Sequence, residues 1–142
     1  MATLKSIATD VQKEVEGIWV TYPNSDFELK IARLKTAECE AHVRKLMKPY
    51  RSKHKNLAKL GEWDMMQVIA PAVAAHVVKD WRGLTQDVAS HEEVGVAIPY
   101  SQVECLKMFQ DPAYRDLYSF VLETAGDSDE YRAELFEEGR GN

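Results

Sequence analysis

Apolar residues at the start of the chain recur at the spacing of a helix. They follow steps of three and four residues with Lys and Glu between them, and they are Leu4, Ile7, Val11 and Val15. Residues at these steps lie on one face of an α-helix. The pattern predicts a short amphipathic helix over residues 3–15, which Gly17 ends.

The pattern then changes to that of paired strands. Residues 17–22 read GIWVTY, residues 23–26 read PNSD, and residues 27–33 read FELKIAR, in which apolar and charged residues alternate. Two such runs around a turn-forming segment predict a β-hairpin with one buried face. Because an isolated hairpin is marginal in water, we expect helices on that face or another chain's strand on its edge.

Helical spacing returns at Thr36 and continues toward Pro49, which we expect to end or bend the helix. The basic segment 51–62 is ambiguous, and a continuation of the helix to about Gly61 stays open. A strongly apolar stretch, 65–79, predicts the central core helix, capped by Asp64. Pro71 lies inside it and predicts a kink or a break.

The second half of the chain holds better-bounded elements. Residues 80–98 show no clear helical period, whereas Ser101 and Glu104 form a capping box before a predicted helix over 102–110. We expect that helix to bury the apolar residues Val103, Leu106 and Phe109.

A further helix begins in the stretch DPAYRDLYSFV. Asp111 is the predicted N-cap, Pro112 the first helical residue and Gly126 the end. The residues expected mainly in the core are Tyr114, Leu117 and Val121. A last acidic helix is predicted from Asp127 or Ser128, and its apolar residues are Tyr131, Leu135 and Phe136.

These elements predict an α+β fold that is mainly α-helical, with an N-terminal β-hairpin packed on a compact set of about five helices. We expect one domain over residues 1–142 with a flexible end from about residue 137. The chain of 142 residues, 45% hydrophobic and 29% charged, is long enough to bury a core without staples. The two cysteines, Cys39 and Cys105, predict reduced thiols, with a single disulfide as the alternative.

No signal-type or membrane-spanning segment is expected, because the most apolar segment, 65–78, is too short and carries polar residues. The composition therefore predicts a soluble, intracellular protein. Net charge is −5, but residues 44–59 carry seven Lys or Arg and residues 123–138 carry seven acids. We interpret these runs as solvated faces or as patches that attract each other. A nucleic-acid-binding patch is the alternative, although only Tyr50 is available to stack on bases.

Candidate chemistry is sparse. Cys39 and His42 are three residues apart and could share a metal, but no second half of a site is present. His91 adjoins Glu92 and Glu93, which could perform acid–base chemistry, but neighbours on a loop rarely hold the needed geometry. The remaining histidines are His54 and His76, of which His76 is predicted to be a core residue. No catalytic motif is present, so no enzyme, cofactor or metal is expected.

Methionines and aromatic residues are the better candidates for partner contact. Met65 and Met66 could form an adaptable apolar surface, with core filling as the alternative. The aromatic residues exceed what one small core needs. The predicted partner-binding residues are Met65, Met66, Trp81, Tyr118 and Phe120.

The order of several segments resembles the tail assembly chaperones of long-tailed, lambdoid bacteriophages. The segments are EGIWVTYPNSDFELKIARL at 16–34, MKPYR at 47–51, VVKDWRGLT at 77–85, IPYS at 98–101 and DPAYRDLYSFVLETAGDSDEYR at 111–132. They cover more than half of the chain in family order. Residues 86–97 depart from the compact acidic-glycine loop of the family.

The resemblance implies a non-enzymatic chaperone that binds the tape measure protein, keeps it soluble and helps recruit tail tube subunits. It implies action in the bacterial host cytoplasm and absence from the mature virion. A longer form, made by ribosomal frameshifting, would bind the tail tube protein, and this chain would be the short form. Self-association is a further expectation. The alternatives are a structural or adaptor protein of the phage head–tail region and a nucleic-acid-binding regulator.

Overall fold

The computed structural model describes residues 1–52, 60–87, 95–133 and 135. In chain order the elements are α1 (Leu4–Ile7), α2 (Val11–Glu16), β1 (Ile18–Thr21), β2 (Glu28–Ile31), α3 (Ala37–Ser52), α4 (Glu62–His76), β3 (Val78–Arg82), α5 (Gln102–Gln110) and α6 (Arg115–Gly126). Two 3-10 turns, Pro112–Tyr114 and Ser128–Tyr131, flank α6. The predicted α+β class is confirmed: the helices pack around a small antiparallel sheet.

The predicted hairpin is confirmed by antiparallel pairing of β1 and β2, with Ile18 opposite Ile31 and Thr21 opposite Glu28. Phe27, Leu29 and Ile31 are buried, as their alternation predicts. A third strand, β3, pairs antiparallel with β2 and leaves β1 at an edge of the sheet. The partner that the hairpin needs is therefore a strand of its own chain.

That third strand corrects two expectations. The central helix ends at His76 and not at residue 79, and the segment from residue 80 begins as strand rather than as irregular chain. Local spacing favours helix through Val77 and Val78, but β-branched residues also suit strands. Pairing with β2, some fifty residues earlier, decides between the two.

Helix α4 is confirmed as the central core helix. It packs against α3, α5 and β3 and buries Met66, Ala70, Ala72, Val73 and Ala74. Its N-cap is Gly61, so the prediction of Asp64 as the cap is wrong, and Asp64 lies in the first turn instead. The helix continues through Pro71, which excludes the expected break. Helix α3 likewise continues through Pro49 to Ser52.

The predicted N-terminal helix is broken in two. Thr9 lies in a β-bridge with Arg132, and Asp10 caps α2 by accepting a hydrogen bond from the Lys13 amide at 3.2 Å. Gly17, at φ 95°, ends α2 as predicted. The four apolar residues of the predicted amphipathic helix are exposed and lie on two short helices rather than one.

Helix α5 has the predicted bounds, and the Ser101 hydroxyl accepts a hydrogen bond from the Glu104 amide at 3.1 Å. Phe109 is buried as predicted, whereas Val103 is 63% exposed, because Cys105 takes the inward position instead. The Asp111 side chain caps a 3-10 turn that begins at Pro112, and α6 follows only from Arg115.

The offset in the start of α6 turns Tyr114 outward, so its predicted core position is wrong, whereas Leu117, Tyr118 and Val121 are buried. The chain after α6 then folds back onto the N-terminal region. The predicted acidic helix does not begin at Asp127 or Ser128: the 3-10 turn Ser128–Tyr131 and the extended Arg132 come first, and Ala133 and Leu135 are helical. Tyr131 is fully buried and its hydroxyl donates to the Ile31 carbonyl at 2.9 Å. Leu135 is exposed, and the prediction for Phe136 lies outside the described residues.

Candidate partner-binding site

The structure places three of the five predicted partner-binding residues in the core. Trp81 is 6% exposed, and its indole N–H donates to the Ile98 carbonyl at 2.9 Å. The ring packs edge-on against Phe27 and Tyr100. Its surface is therefore used within the fold rather than offered to a partner.

Met66 and Tyr118 are also buried, and they contact each other across α4 and α6. The Tyr118 hydroxyl donates to the Met66 carbonyl at 2.6 Å, and the Tyr118 ring stacks on Phe109 with centroids 4.3 Å apart. This burial corrects the expectation that Met66, Trp81 and Tyr118 face a partner. Trp81 and Tyr118 pack against other aromatic rings inside the fold, and the order of residues along the chain does not show these contacts.

Met65 and Phe120 are half-buried and keep some surface for contact. The Phe120 ring packs edge-on against Tyr22 of the hairpin, with centroids 5.3 Å apart. Partner contact by these two residues stays a prediction.

An exposed apolar surface lies instead at the N-terminus. Leu4 is 86% exposed, Ile7 59%, Val11 73% and Val15 53%. We call these four residues the N-terminal stripe. Their spacing predicts one amphipathic helix, but the chain is interrupted at Thr9 and Asp10, so the four residues are divided between two short helices.

The C-terminal segment fixes the backbone beneath the stripe. The Asp10 amide donates to the Tyr131 carbonyl at 2.7 Å, and the Ala133 amide donates to the Ala8 carbonyl at 3.0 Å. The Arg132 guanidinium also donates to the Ile7 carbonyl at 2.9 Å. These hydrogen bonds hold residues 7–10, which link the two helices that carry the stripe.

A second surface lies on α3. Arg44, Lys45, Lys48 and Arg51 are exposed and line a hollow of about 460 Å³. Arg44 also borders a groove of about 310 Å³ whose apolar lining residues are Leu34, Val43 and Ile69. Among the described residues, no ion pair joins these four cations to the acids of the 123–138 run.

The histidines form a pair that the sequence did not predict. His42 Nδ1 and His76 Nε2 lie 3.1 Å apart, so one nitrogen donates to the other. Burial, then the neighbouring His42 and Lys79, lowers the pKa of His76 below its ordinary value. The ring is thus neutral near pH 7 and partnered, as predicted, but His76 is half-buried rather than a core residue.

The cysteines are free and buried, which confirms the prediction of reduced thiols. Burial raises the pKa of Cys105 to about 12, and burial is also the main cause that raises the pKa of Cys39. Both thiols therefore stay protonated at neutral pH, and a thiol is a far weaker nucleophile and metal ligand than a thiolate.

The other candidates for chemistry give no assembled site in the described part of the chain. There, no group of three or more His, Cys, Asp or Glu side chains is placed to hold a metal ion. His54, His91, Glu92 and Glu93 lie outside the described residues. No helix among the described residues is long and apolar enough to cross a membrane.

Comparison with known proteins identifies the family. A family model described as YdaY prophage protein matches residues 34–142, about three quarters of the chain. No curated protein and no solved structure matches the chain significantly. The matched region contains α3 to α6 and β3, whereas the N-terminal stripe and the hairpin precede it. The chain therefore belongs to the YdaY family of prophage proteins.

Proposed function

We propose that this prophage protein is a non-enzymatic tail assembly chaperone that binds the tape measure protein. It keeps the tape measure soluble in the host cytoplasm, helps recruit tail tube subunits and is absent from the mature virion. The family membership supports the phage context. The resemblance of five ordered segments to lambdoid tail assembly chaperones supports the finer role.

The observation that carries the proposal is the N-terminal stripe. Four aliphatic side chains, two on α1 and two on α2, are more than half exposed. Hydrogen bonds from the C-terminal segment hold the backbone that links the two helices. A long amphipathic helix without its partners likewise exposes aliphatic side chains to water. When the exposed side chains of the two proteins cover each other, the complex is stabilised by about 25 cal/mol per Å² of apolar surface removed from water. A chaperone of this kind would suppress aggregation of the tape measure protein in this way.

The test is co-expression with the tape measure protein of the same prophage. A triple variant, Leu4→Gln, Ile7→Gln and Val11→Gln, replaces exposed apolar side chains with polar ones and should leave the fold intact. We expect the wild-type chain to keep the tape measure in the soluble fraction and the triple variant to lose most of that effect.

Val103→Gln is the matched control, because Val103 is 63% exposed on α5, outside the stripe. It should behave as wild type. A tape measure that stays equally insoluble with and without the wild-type chain would refute the chaperone role. If the triple variant still kept the tape measure protein soluble, the contact between the two proteins would lie outside the stripe.

Purified particles distinguish the chaperone from a structural head–tail protein. The chaperone should be missing from the virion by mass spectrometry although it is abundant in the infected or induced cell. A stoichiometric amount in the particle would favour the structural alternative. A longer, frameshifted product in the cell extract would identify the form expected to bind the tail tube protein.

A further inference from the structure

We infer that the groove beside α3 binds an acidic amphipathic helix, with apolar residues in the groove and carboxylates on the basic rim. The floor is the apolar lining of the groove, Leu34, Val43 and Ile69. Arg44 borders the groove and also lines the adjacent hollow with Lys45, Lys48 and Arg51, and we call these four cations the rim. We call floor and rim together the α3 groove. The α3 groove is separate from the N-terminal stripe. The inference deepens the proposed function and rests on it in one respect: the proposed function says which protein supplies the helix.

The rim has the spacing that a helix can match. Arg44, Lys48 and Arg51 are four and three residues apart on α3, so they lie on one face. At 1.5 Å per residue they span about 10 Å, or two helical turns. Carboxylates at the same steps on a second helix would each meet one cation.

The rim cations are not neutralised by ion pairs within the described fold. All four cations are exposed, and none forms an ion pair with a described residue. Bringing an acidic partner to this face therefore relieves repulsion between neighbouring cations and adds attraction that steers the approach. The partner must be anionic even though the whole chain has a net charge of −5.

The floor selects a peptide over a nucleic acid. Leu34, Val43 and Ile69 are half-buried and present apolar surface next to Arg44. A phosphate backbone gains nothing from apolar surface, and bases are held by aromatic stacking. Among the described residues that line the floor and the rim, none is aromatic. An amphipathic helix uses both features, because its apolar stripe fills the floor while its flank carries charge.

One residue of the groove opposes the partner. Glu40 is exposed and lines the floor on the side of Arg44. Its carboxylate should repel an acidic helix, so neutralising it should strengthen binding. This gives a variant whose effect has the opposite sign to that of a rim variant, and unfolding cannot mimic that gain.

The test is fluorescence anisotropy of the purified full chain with a labelled synthetic helix of about 18 residues, five turns. The peptide carries Leu at i, i+3, i+4 and i+7 steps and Glu on the flanks. One comparison peptide replaces Leu with Gln, and another replaces Glu with Lys. We expect binding of the acidic Leu peptide to be at least about tenfold tighter than that of either comparison peptide, and to weaken as salt screens the rim.

Variants locate the site. Arg44→Glu with Lys48→Glu should weaken binding by about tenfold or more, and Glu40→Gln should strengthen it by about twofold. Arg115→Glu makes the same kind of charge change at an exposed position on α6 outside the groove, and should stay within about twofold of wild type.

Several outcomes would overturn the inference. Equal binding of the Gln peptide would show that the surface recognises charge alone. Binding of a DNA or RNA oligonucleotide in place of the peptide would assign the rim to nucleic acid. Self-association that the double variant abolishes, without peptide binding, would assign the groove to a second copy. Because no tape measure protein is used, failure here leaves the proposed function untouched, and failure of co-expression leaves the groove untouched.

Discussion

The hydroxyl group of Tyr118 joins α6 to α4 inside the core. It donates to the Met66 carbonyl at 2.6 Å, and burial raises the pKa of Tyr118 above its ordinary value, so it stays a donor at any physiological pH. We predict that Tyr118→Phe lowers the free energy of unfolding by about 1 kcal/mol, the usual net value of one hydrogen bond. Urea unfolding measures this.

The control is Tyr114→Phe, which removes the same hydroxyl from a ring that is 46% exposed. Its effect should be within about 0.5 kcal/mol of zero. Equal losses in both variants would mean that the buried hydrogen bond contributes no more to stability than an exposed hydroxyl.

The pairing of His42 with His76 makes stability depend on pH. The pKa of His76 is lowered in the fold, chiefly by burial and then by His42 and Lys79, with Glu38 opposing. The unfolded chain therefore binds the proton more readily than the folded chain. The contribution of neutral His76 to the free energy of unfolding is fully present above the ordinary pKa of 6.5. It is lost as pH falls through the lower pKa that His76 has in the folded state.

We predict that the free energy of unfolding of the wild type falls as pH is lowered from about 7 to about 5, where histidine takes up its proton. His76→Gln should show a smaller fall over the same range, because the group that takes up the proton is gone. Thermal unfolding in a pH series measures both. Identical slopes for the two proteins would assign the pH dependence to other groups.

At the scale of elements, the turn after β3 depends on one glycine. Gly83 has φ +80°, and a Cβ at this position would lie 2.3 Å from the Asp26 carbonyl oxygen of the hairpin turn. We predict that Gly83→Ala destabilises the protein by at least about 2 kcal/mol, because both the backbone angle and the backbone contact oppose a side chain. Chemical unfolding monitored by tryptophan fluorescence measures the loss.

Gly126→Ala is the matched comparison. Gly126 ends α6, and an added Cβ there meets nothing within 4 Å. It should be neutral or stabilise by up to about 1 kcal/mol, the helix preference of Ala over Gly. If both variants behaved alike, the contact with Asp26 would not constrain the turn.

The elements differ in how far local sequence defines them. Helix α5 was predicted to the residue, because Ser101 supplies a cap and Asp111 ends it. The sequence VKDWR does not predict β3, because these residues suit the end of a helix as well as a strand. Hydrogen bonding to β2 is what makes them a strand. The N-terminal helix was mispredicted for a related reason, since its breakpoint at Thr9 is fixed by Arg132 at the far end of the chain.

At the scale of the whole molecule, Tyr131 joins the two ends of the chain to the sheet. Its hydroxyl reaches the Ile31 carbonyl, and its own carbonyl accepts from the Asp10 amide. We predict that Tyr131→Ala lowers the free energy of unfolding by about 3–5 kcal/mol, the cost of deleting a buried aromatic ring. Hydrogen exchange at the Asp10 amide should also accelerate, because the segment that holds it loses its anchor.

Leu135→Ala is the control for this prediction, since Leu135 is 53% exposed four residues further on. It should leave both stability and exchange at Asp10 close to wild type. Unchanged exchange at Asp10 in Tyr131→Ala would mean that the N-terminal stripe is held without the C-terminal segment.

The candidate surfaces divide along the same line. The basic run and the N-terminal apolar spacing are visible in the sequence, because both are patterns of neighbouring residues. It could not show that Trp81 and Tyr118 are consumed by the core, since their ring partners Phe27 and Phe109 come from other elements. Nor could it show that Leu34 and Ile69 meet beside Arg44 in one groove.

By itself, then, the sequence determined the α+β class, the hairpin, the caps that Ser101 and Asp111 supply and the free state of the two cysteines, because each follows from local spacing and side-chain chemistry. The tertiary structure alone decided which apolar residues are left outside. That outcome depends on β3 completing the sheet and on Tyr131 returning to Ile31, a contact across 100 residues. Local sequence is compatible with several arrangements of these segments, and contacts between distant segments stabilise one of them. The apolar residues that this arrangement does not bury form the exposed surface.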